Sequence, residues 1–260
     1  MEKQIEIVIN EFTKQAETFN EYQNTSIKEE ATKALIQEAQ FTGTEDVLEV
    51  AAGTCSMGRK IAPFAKHVIE LDATNAMLTK GKEESEKAEI TNVSYVLGVA
   101  ERLPFLDESF NVVASRLAFH HFQNISMVLD EVERVLKPNG KFILLDMVAE
   151  NNDTRDSANN YEKMRDPSHT NTVTEDEFLH EMEKRQMKVL YKEKVFIPME
   201  LDKWLGLTNL SAEIRDRIYA DINIELAGGN KTGLEPYIEN GRLMFAHNWF
   251  MLIAQKKSGF

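Results

Sequence analysis

The sequence predicts an α/β protein built on a doubly wound, mostly parallel seven-stranded sheet, with an antiparallel C-terminal strand and helical lid segments. Three observations carry this. From Asp46 onward short apolar runs alternate with helical periodicities, the signal of βαβ units. The first run is followed by a turn of small residues, Ala51-Ala52-Gly53-Thr54-Cys55-Ser56. The second run closes on an acid, Asp72, about twenty residues past Gly53.

Residues 1 to about 40 are rich in Glu, Lys and Gln, and place Ile5, Val8, Ile9, Phe12 and Phe19 at helical spacing, so they read as helices lying on something else. The apolar runs that follow are 47–51, 67–71, 93–97, 110–115 and 141–148. Ahead of the fifth run, Ile125, Val128, Leu129, Val132, Val135 and Leu136 keep helical spacing up to Lys137-Pro138-Asn139-Gly140, where a basic turn followed by Pro and Gly should stop the helix. The polar stretch AENNDTRDSANN (149–160) reads as a loop or lid, and Thr174 to Glu177 as a capping box. Residues 187–197 and 243–255 read as two further strands, joined by a helical segment around Trp204 to Leu226. The expected organisation is one domain over 1–260: an N-terminal helical cap (1–40), a ligand-binding core (41–148), and lid and C-terminal strands (149–260).

Composition narrows the function. The 260 residues are 42% hydrophobic and 28% charged, ordinary values for a globular chain that can bury a large core. Cys55 is the only cysteine, which excludes an intramolecular disulfide, a multi-cysteine zinc site and an iron–sulfur cluster, and suits a reducing compartment. A net charge of −13 repels a phosphate backbone, so nucleic acid is not the expected partner. The N-terminus lacks the features of a secretory signal and no stretch is long and apolar enough to span a bilayer, so the expected location is cytoplasmic.

Ligands of doubly wound sheets bind beyond the carboxyl ends of the strands, where strand order reverses. At the first turn, small residues let a ligand reach the backbone, Gly53 most plainly. Asp72 could accept hydrogen bonds from both ribose hydroxyls of an adenosine, or simply precede a helix begun at Thr74. Ala100, Glu101 and Leu103 could give adenine an apolar slot and a polar partner. The tandem His120 and His121 invite a metal, but adjacent side chains converge poorly and no HExxH pattern is present, so no metal is expected.

Together these segments resemble the core of class I S-adenosylmethionine-dependent methyltransferases, the branch similar to ubiquinone/menaquinone-biosynthesis enzymes. The resemblance rests on VLEVAAGTCSMG (47–58), VIELDATNAML (68–78), VAERLPFLDESFNVVASRLAFHHF (99–122) and EVERVLKPNGKFILLD (131–146), in order and at family spacing. It implies a Rossmann-like methyltransferase fold, S-adenosylmethionine as cofactor and a small, partly apolar methyl acceptor. It also implies that Glu49 holds the methionine amino group, directly or through water, while Ala51 and Gly53 admit the methionine portion. Asp72 would bind the ribose beside Ala73 and Met77, Ala100 and Glu101 would flank the adenine, and Leu117 would offer its backbone to the methionine end. The family usually has glycine where this chain has Ala51 and Cys55.

The stretch Met164-Arg165-Asp166-Pro167-Ser168-His169 also resembles one found in that branch; Arg165 and His169 either face the acceptor or belong to a capped turn. The sulfonium already activates its methyl group, so the protein must align the acceptor and exclude water, with a general base needed only for a protonated acceptor. His120, His121 and His169 are the candidates, His121 and His169 foremost, with a structural hydrogen bond the plainer role for each. Phe12, Phe19 and Tyr22 would help cover the mouth, whereas Trp204 and the 245–250 strand read as core. Two other readings stand beside methyl transfer. One is a protein that binds the cofactor without transferring anything. The other is a nicotinamide-dependent oxidoreductase, whose GxGxxG register would fall on Ala51, Gly53 and Ser56 and keep one glycine of three.

Overall fold

The computed structural model describes residues 2–17, 19, 26–150, 152–208 and 210–258. Eight strands form one sheet: β1 (Asp46–Val50), β2 (His67–Asp72), β3 (Val93–Leu97), β4 (Phe110–Arg116), β5 (Leu136–Val148), β6 (Lys188–Glu200), β7 (Tyr237–Glu239) and β8 (Arg242–Gln255). The order is β3-β2-β1-β4-β5-β8-β6, with the short β7 paired only to β8. The first five are mutually parallel, and β8 runs antiparallel to β5, β6 and β7. The expected mostly parallel sheet with an antiparallel C-terminal strand is therefore present. The strand beyond the expected seven, β7, is a three-residue arm of a hairpin turning through Asn240 (φ +50°) and Gly241 (φ +75°), a dipeptide suited to a tight turn that needs positive φ at both positions.

The helices are α1 (Glu2–Gln15), α2 (Ser26–Glu38), α3 (Ser56–Ile61), α4 (Asn75–Lys87), α5 (Ile125–Val135), α6 (Asn152–Arg165), α7 (Glu175–Lys184), α8 (Leu201–Leu205) and α9 (Ala212–Leu226). Because strand side chains alternate between faces, Val47 belongs to a core shared with α2, α3, α8 and α9, while Leu48 and Val50 belong to one shared with α5 and α7. Both faces of the central strands are thus covered, and Leu144, Ile143, Val113 and Leu48 are fully buried.

Three expectations are corrected. The fifth strand begins at Leu136, five residues before the apolar run, and α5 ends at Val135. Pro138 disfavours helical backbone in the residue before it, and Leu136 is already extended. The polar stretch after Val148 is mainly helical, as α6: its partly buried Ala158, Tyr161 and Met164 pack on the core at helical spacing. The connection from β3 to β4, residues 98–109, contains no helix.

The expected capping box is present. Thr174 Oγ1 accepts from the Glu177 N–H, and the Glu177 carboxylate accepts from the Thr174 N–H at 2.7 Å. We expect Thr174→Ala to cost about 1 kcal/mol, seen as a fall of about 2–4 °C in thermal midpoint with no change in ligand binding. An unchanged midpoint would show that α7 is held by its buried Phe178 and Met182 alone.

Candidate functional site

Strand order turns back between β1 and β4, and beyond their carboxyl ends lies a cleft of about 910 Å³. The turn after β1 forms its floor. Ala51, Gly53 and Cys55 all adopt left-handed backbone, with φ of +53°, +54° and +59°. Only glycine does so without steric cost, and Ala51 and Cys55 therefore store strain of about 1–2 kcal/mol each. A methyl group added at Gly53 would meet only the edge of Phe19, at 3.8 Å, so the backbone there is open to the cleft.

Asp72 holds this floor. One carboxylate oxygen accepts from the Gly53 N–H (2.8 Å) and the other from the Thr74 N–H (2.7 Å), so the end of β2 clamps the turn after β1 and starts α4. Burial pushes the Asp72 carboxyl above its usual range, partly offset by these N–H groups. Glu49 also lies at the cleft, and its carboxylate accepts from the Gly58 N–H (2.6 Å). In the parallel register Glu49 stands beside Glu70. Glu70 is fully buried and neither of its oxygens receives a donor from another group; burial and then the Glu49 charge raise its carboxyl well above the usual range. Burial and the adjacent Glu49 carboxylate thus both disfavour ionisation of Glu70. Glu70 was not singled out in the sequence, although a Glu inside an apolar strand run was the available signal.

The nine residues expected at a cofactor, Glu49, Ala51, Gly53, Asp72, Ala73, Met77, Ala100, Glu101 and Leu117, all line this one cleft. Helix α1 roofs it with Gln4, Ile5, Val8 and Phe12, and Gln4 Nε2 donates to the Ser168 carbonyl at 2.7 Å. Phe12 and Phe19, expected over the mouth, are there; Tyr22 lies outside the described residues.

The far wall depends on Asp146. Its fully buried carboxylate accepts from the N–H groups of Ala118 (2.7 Å), Phe119 (2.7 Å) and Met147 (2.8 Å), and lies 2.7 Å from His120 Nδ1. Burial opposes both charges, but the His120 imidazolium holds the Asp146 carboxyl below its usual range and Asp146 raises His120. His121, the next residue, points otherwise: burial, then the His120 charge, lower it to about 4. Its Nδ1 is 3.1 Å from Ser168 Oγ and its ring meets Phe12 edge-on at 5.0 Å, so it lines the cleft as a neutral imidazole.

His169 is brought near the other two histidines, 5.6 Å from His120 between ring centres, but it lines neither this cleft nor the cavity next to it. The turn in which the His169 N–H donates to the Asp166 carbonyl directs its Nε2 to Asn159 Oδ1 at 2.8 Å, and burial lowers it to about 3. No group of three or more His, Cys, Asp or Glu among the described residues is arranged to hold a metal.

The adjacent cavity, about 730 Å³, shares Phe12, Phe19, Leu117 and His121 with the cleft. It also takes in Arg165, Trp204, His247 and Trp249, so the tryptophans expected as core serve as both core and wall.

Comparison with known proteins agrees with this geometry. The methyltransferase-domain family matches residues 48–144. The chain is 28% identical over 213 residues to the uncharacterized methyltransferase YcgJ of Bacillus subtilis, covering 82% of this chain and 84% of that protein. It is 30% identical over 154 residues to the uncharacterized protein YafE of Escherichia coli, covering 58% and 73%. A crystal structure from Bacillus halodurans C-125, provisionally described as a methyltransferase, superposes with a TM-score of 0.81 at 29% identity, covering 88% of this chain and all of that one.

Two predictions follow from the floor and the histidines. Cys55→Gly releases left-handed strain but removes a fully buried side chain packed against Gly81, two effects of about 1–2 kcal/mol each, so stability should change by under about 1 kcal/mol. Cys55→Ala keeps the strain and loses the sulfur, and should unfold at lower urea than Cys55→Gly; the reverse order would show that the turn carries no strain. Secondly, His121 and His169 refuse protons that the unfolded chain accepts near pH 6.5. Stability should therefore fall as pH drops from about 6.5 to about 4, by up to about 1.4 kcal/mol per pH unit for each histidine. The raised His120 acts oppositely, its contribution being lost as pH rises above its folded value. His169→Asn should lessen the acid slope in thermal melts; a slope unchanged by that substitution would place the lost protons elsewhere.

Proposed function

The chain belongs to the class I S-adenosylmethionine-dependent methyltransferases, and from that membership we propose that it moves a methyl group from S-adenosylmethionine to a small, partly apolar metabolite by in-line displacement. The observation that carries this reading is the convergence of all nine expected cofactor residues on one cleft that shares a wall with a second cavity. The open backbone at Gly53 and carboxylates at Glu49 and Asp72 suit a ligand carrying an amino group and ribose hydroxyls.

In this reading Asp72 holds the ribose while still clamping Gly53 and Thr74. Ala73 and Met77 pack beside the adenosine, and Ala100 and Glu101 flank the adenine. Glu49 receives the amino group, Ala51 and Gly53 leave room for the methionine chain, and Leu117, at φ +52°, presents its backbone to the same end. When bound, S-adenosylmethionine supplies a methyl group already activated by its sulfonium. The protein's own work is alignment and exclusion of water. Residues 1–40 act as a cap, with α1 as roof; 41–148 hold the cofactor; and 149–260 supply the acceptor side.

For an acceptor that must lose a proton, His121 is the histidine at the shared wall, neutral at pH 7 but, lowered to about 4, only a weak base there. His169 would act only by positioning, through Asn159. A net charge of −13 favours a small molecule over nucleic acid, and no described helix is long and apolar enough to cross a membrane.

The test is Asp72→Asn, which keeps size and part of the turn clamp while removing the charge. We expect S-adenosylhomocysteine to bind at least 10-fold more weakly by calorimetry, about 1.4 kcal/mol, with circular dichroism unchanged. Methyl transfer from labelled cofactor into a metabolite extract should fall with it. Affinity unchanged within twofold would remove Asp72 from the ribose site, and absence of transfer by the parent protein into every fraction would favour binding without transfer.

A further inference from the structure

The second cavity is built for a negative charge, although the protein as a whole is acidic. Lys28, from α2, lines it and is only 7% exposed. Its Nζ lies 5.7 Å from the centre of the Trp249 ring, and among the described residues no carboxylate lies within ion-pairing distance of it; the neighbouring Glu29 is paired instead with Lys60. Arg116 stands over the same Trp249 ring at 5.9 Å, and Arg165 over Trp204 at 5.4 Å. The acids nearby are engaged. Glu162 is paired with His247 and Arg165, and Asp166, which also lines the cavity, accepts from the Ser168 N–H and hydroxyl and lies 3.8 Å from Arg165, leaving Lys28 as the cation without a carboxylate among the described lining residues.

A buried, unpaired ammonium beside two guanidinium groups is costly unless something completes it. Burial, then the charges of Arg116 and Arg165, lower Lys28 to about 8. Further donors wait in the same place. The indole N–H groups of Trp204 and Trp249 and the Nε–H of Arg165 are buried without an acceptor. Both indole rings border the cavity while packed against protein over nearly all of their surface, 1% and 2% exposed. A surplus of donors and cations against aromatic faces calls for a ligand that brings acceptor oxygens and a flat apolar body.

We propose that this cavity holds the methyl acceptor by a carboxylate carried on a planar apolar body, with Lys28 as counter-ion and the indole N–H groups of Trp204 and Trp249 as further donors. The carboxylate is the handle and not the methylated atom; the reacting end lies toward the wall shared with the cofactor cleft, at Leu117 and His121. This rests on the methyl-transfer reading above and names the class of its acceptor.

The test is calorimetric titration of the whole protein, saturated with S-adenosylhomocysteine, with three probes: benzoate, its neutral isostere benzamide, and inorganic phosphate. Benzoate should bind saturably and shift the emission of the chain's two tryptophans, at least 10-fold more tightly than benzamide and more tightly than phosphate. Lys28→Met should weaken benzoate about 10-fold or more while leaving S-adenosylhomocysteine within twofold, and Lys28→Arg should restore much of the loss. Absence of benzoate binding, equal affinity for benzamide, or indifference to Lys28→Met each overturns the proposal. Phosphate binding as tightly as benzoate overturns the planar carboxylate in favour of a phosphorylated ligand. Failure of S-adenosylhomocysteine to bind the parent protein is a separate result and strikes the methyl-transfer reading itself.

Discussion

The buried carboxylate of Asp146 is the constraint on which the functional end of this molecule rests. Four donors converge on it: three consecutive-turn and strand N–H groups and the His120 ring. An isolated carboxylate at full burial would be prohibitive, and these donors together with the His120 charge make it tolerable. Fixing Ala118, Phe119 and His120 fixes Leu117 before them and His121 after them, the two residues at the wall between cleft and cavity. The same turn reaches further, because the His120 carbonyl accepts from the Thr170 N–H and hydroxyl and so ties the 166–170 segment to the sheet. That segment in turn brings Ser168 to His121 and its carbonyl to Gln4 of the roofing helix.

A second carboxylate, Asp72, does for the first turn what Asp146 does for the fourth-strand turn. It is hydrogen-bonded to backbone on both oxygens and still lines the cleft. The strain at Ala51 and Cys55 is compatible with this arrangement because the clamp and the packing of Cys55 against Gly81 over-determine the turn. The two compartments differ in electrostatic character. The cleft presents carboxylates at Glu49 and Asp72 beside Arg116, whereas the cavity beyond Leu117 gathers Lys28 and Arg165 beside Asp166, with unaccepted N–H groups.

Much of this was legible in the chain because strands and turns are encoded locally. Val93–Leu97 is a strand with the bounds of its apolar run, and Thr174 with Glu177 forms the box that its spacing implies. The glycine-bearing turn and the acid at the end of the second run lie within thirty residues of each other and at the ends of adjacent parallel strands, so topology brings them together without long-range information. The helix of 152–165 was hidden because its residues are mostly polar and only Ala158, Tyr161 and Met164 report its packed side. The short β7 was hidden because three residues carry no periodicity, although Asn240-Gly241 marked its turn.

By itself, the sequence determined the α/β class, the strand positions and the residues from Glu49 to Leu117 that line one cleft, since each depends on residue type at short spacing. Only the tertiary structure decided which charged and aromatic side chains meet beyond the core. Lys28, Arg165, Trp204 and Trp249 come from four distant elements, and no local pattern relates them. It also decided between neighbours of identical type, making His120 a buried partner of Asp146 with its pKa raised, His121 a neutral ring at the wall and His169 an inward partner of Asn159. The physical reason is that charge and orientation in a buried site are set by desolvation and by the partners that packing supplies, and these are properties of the folded chain rather than of its local sequence.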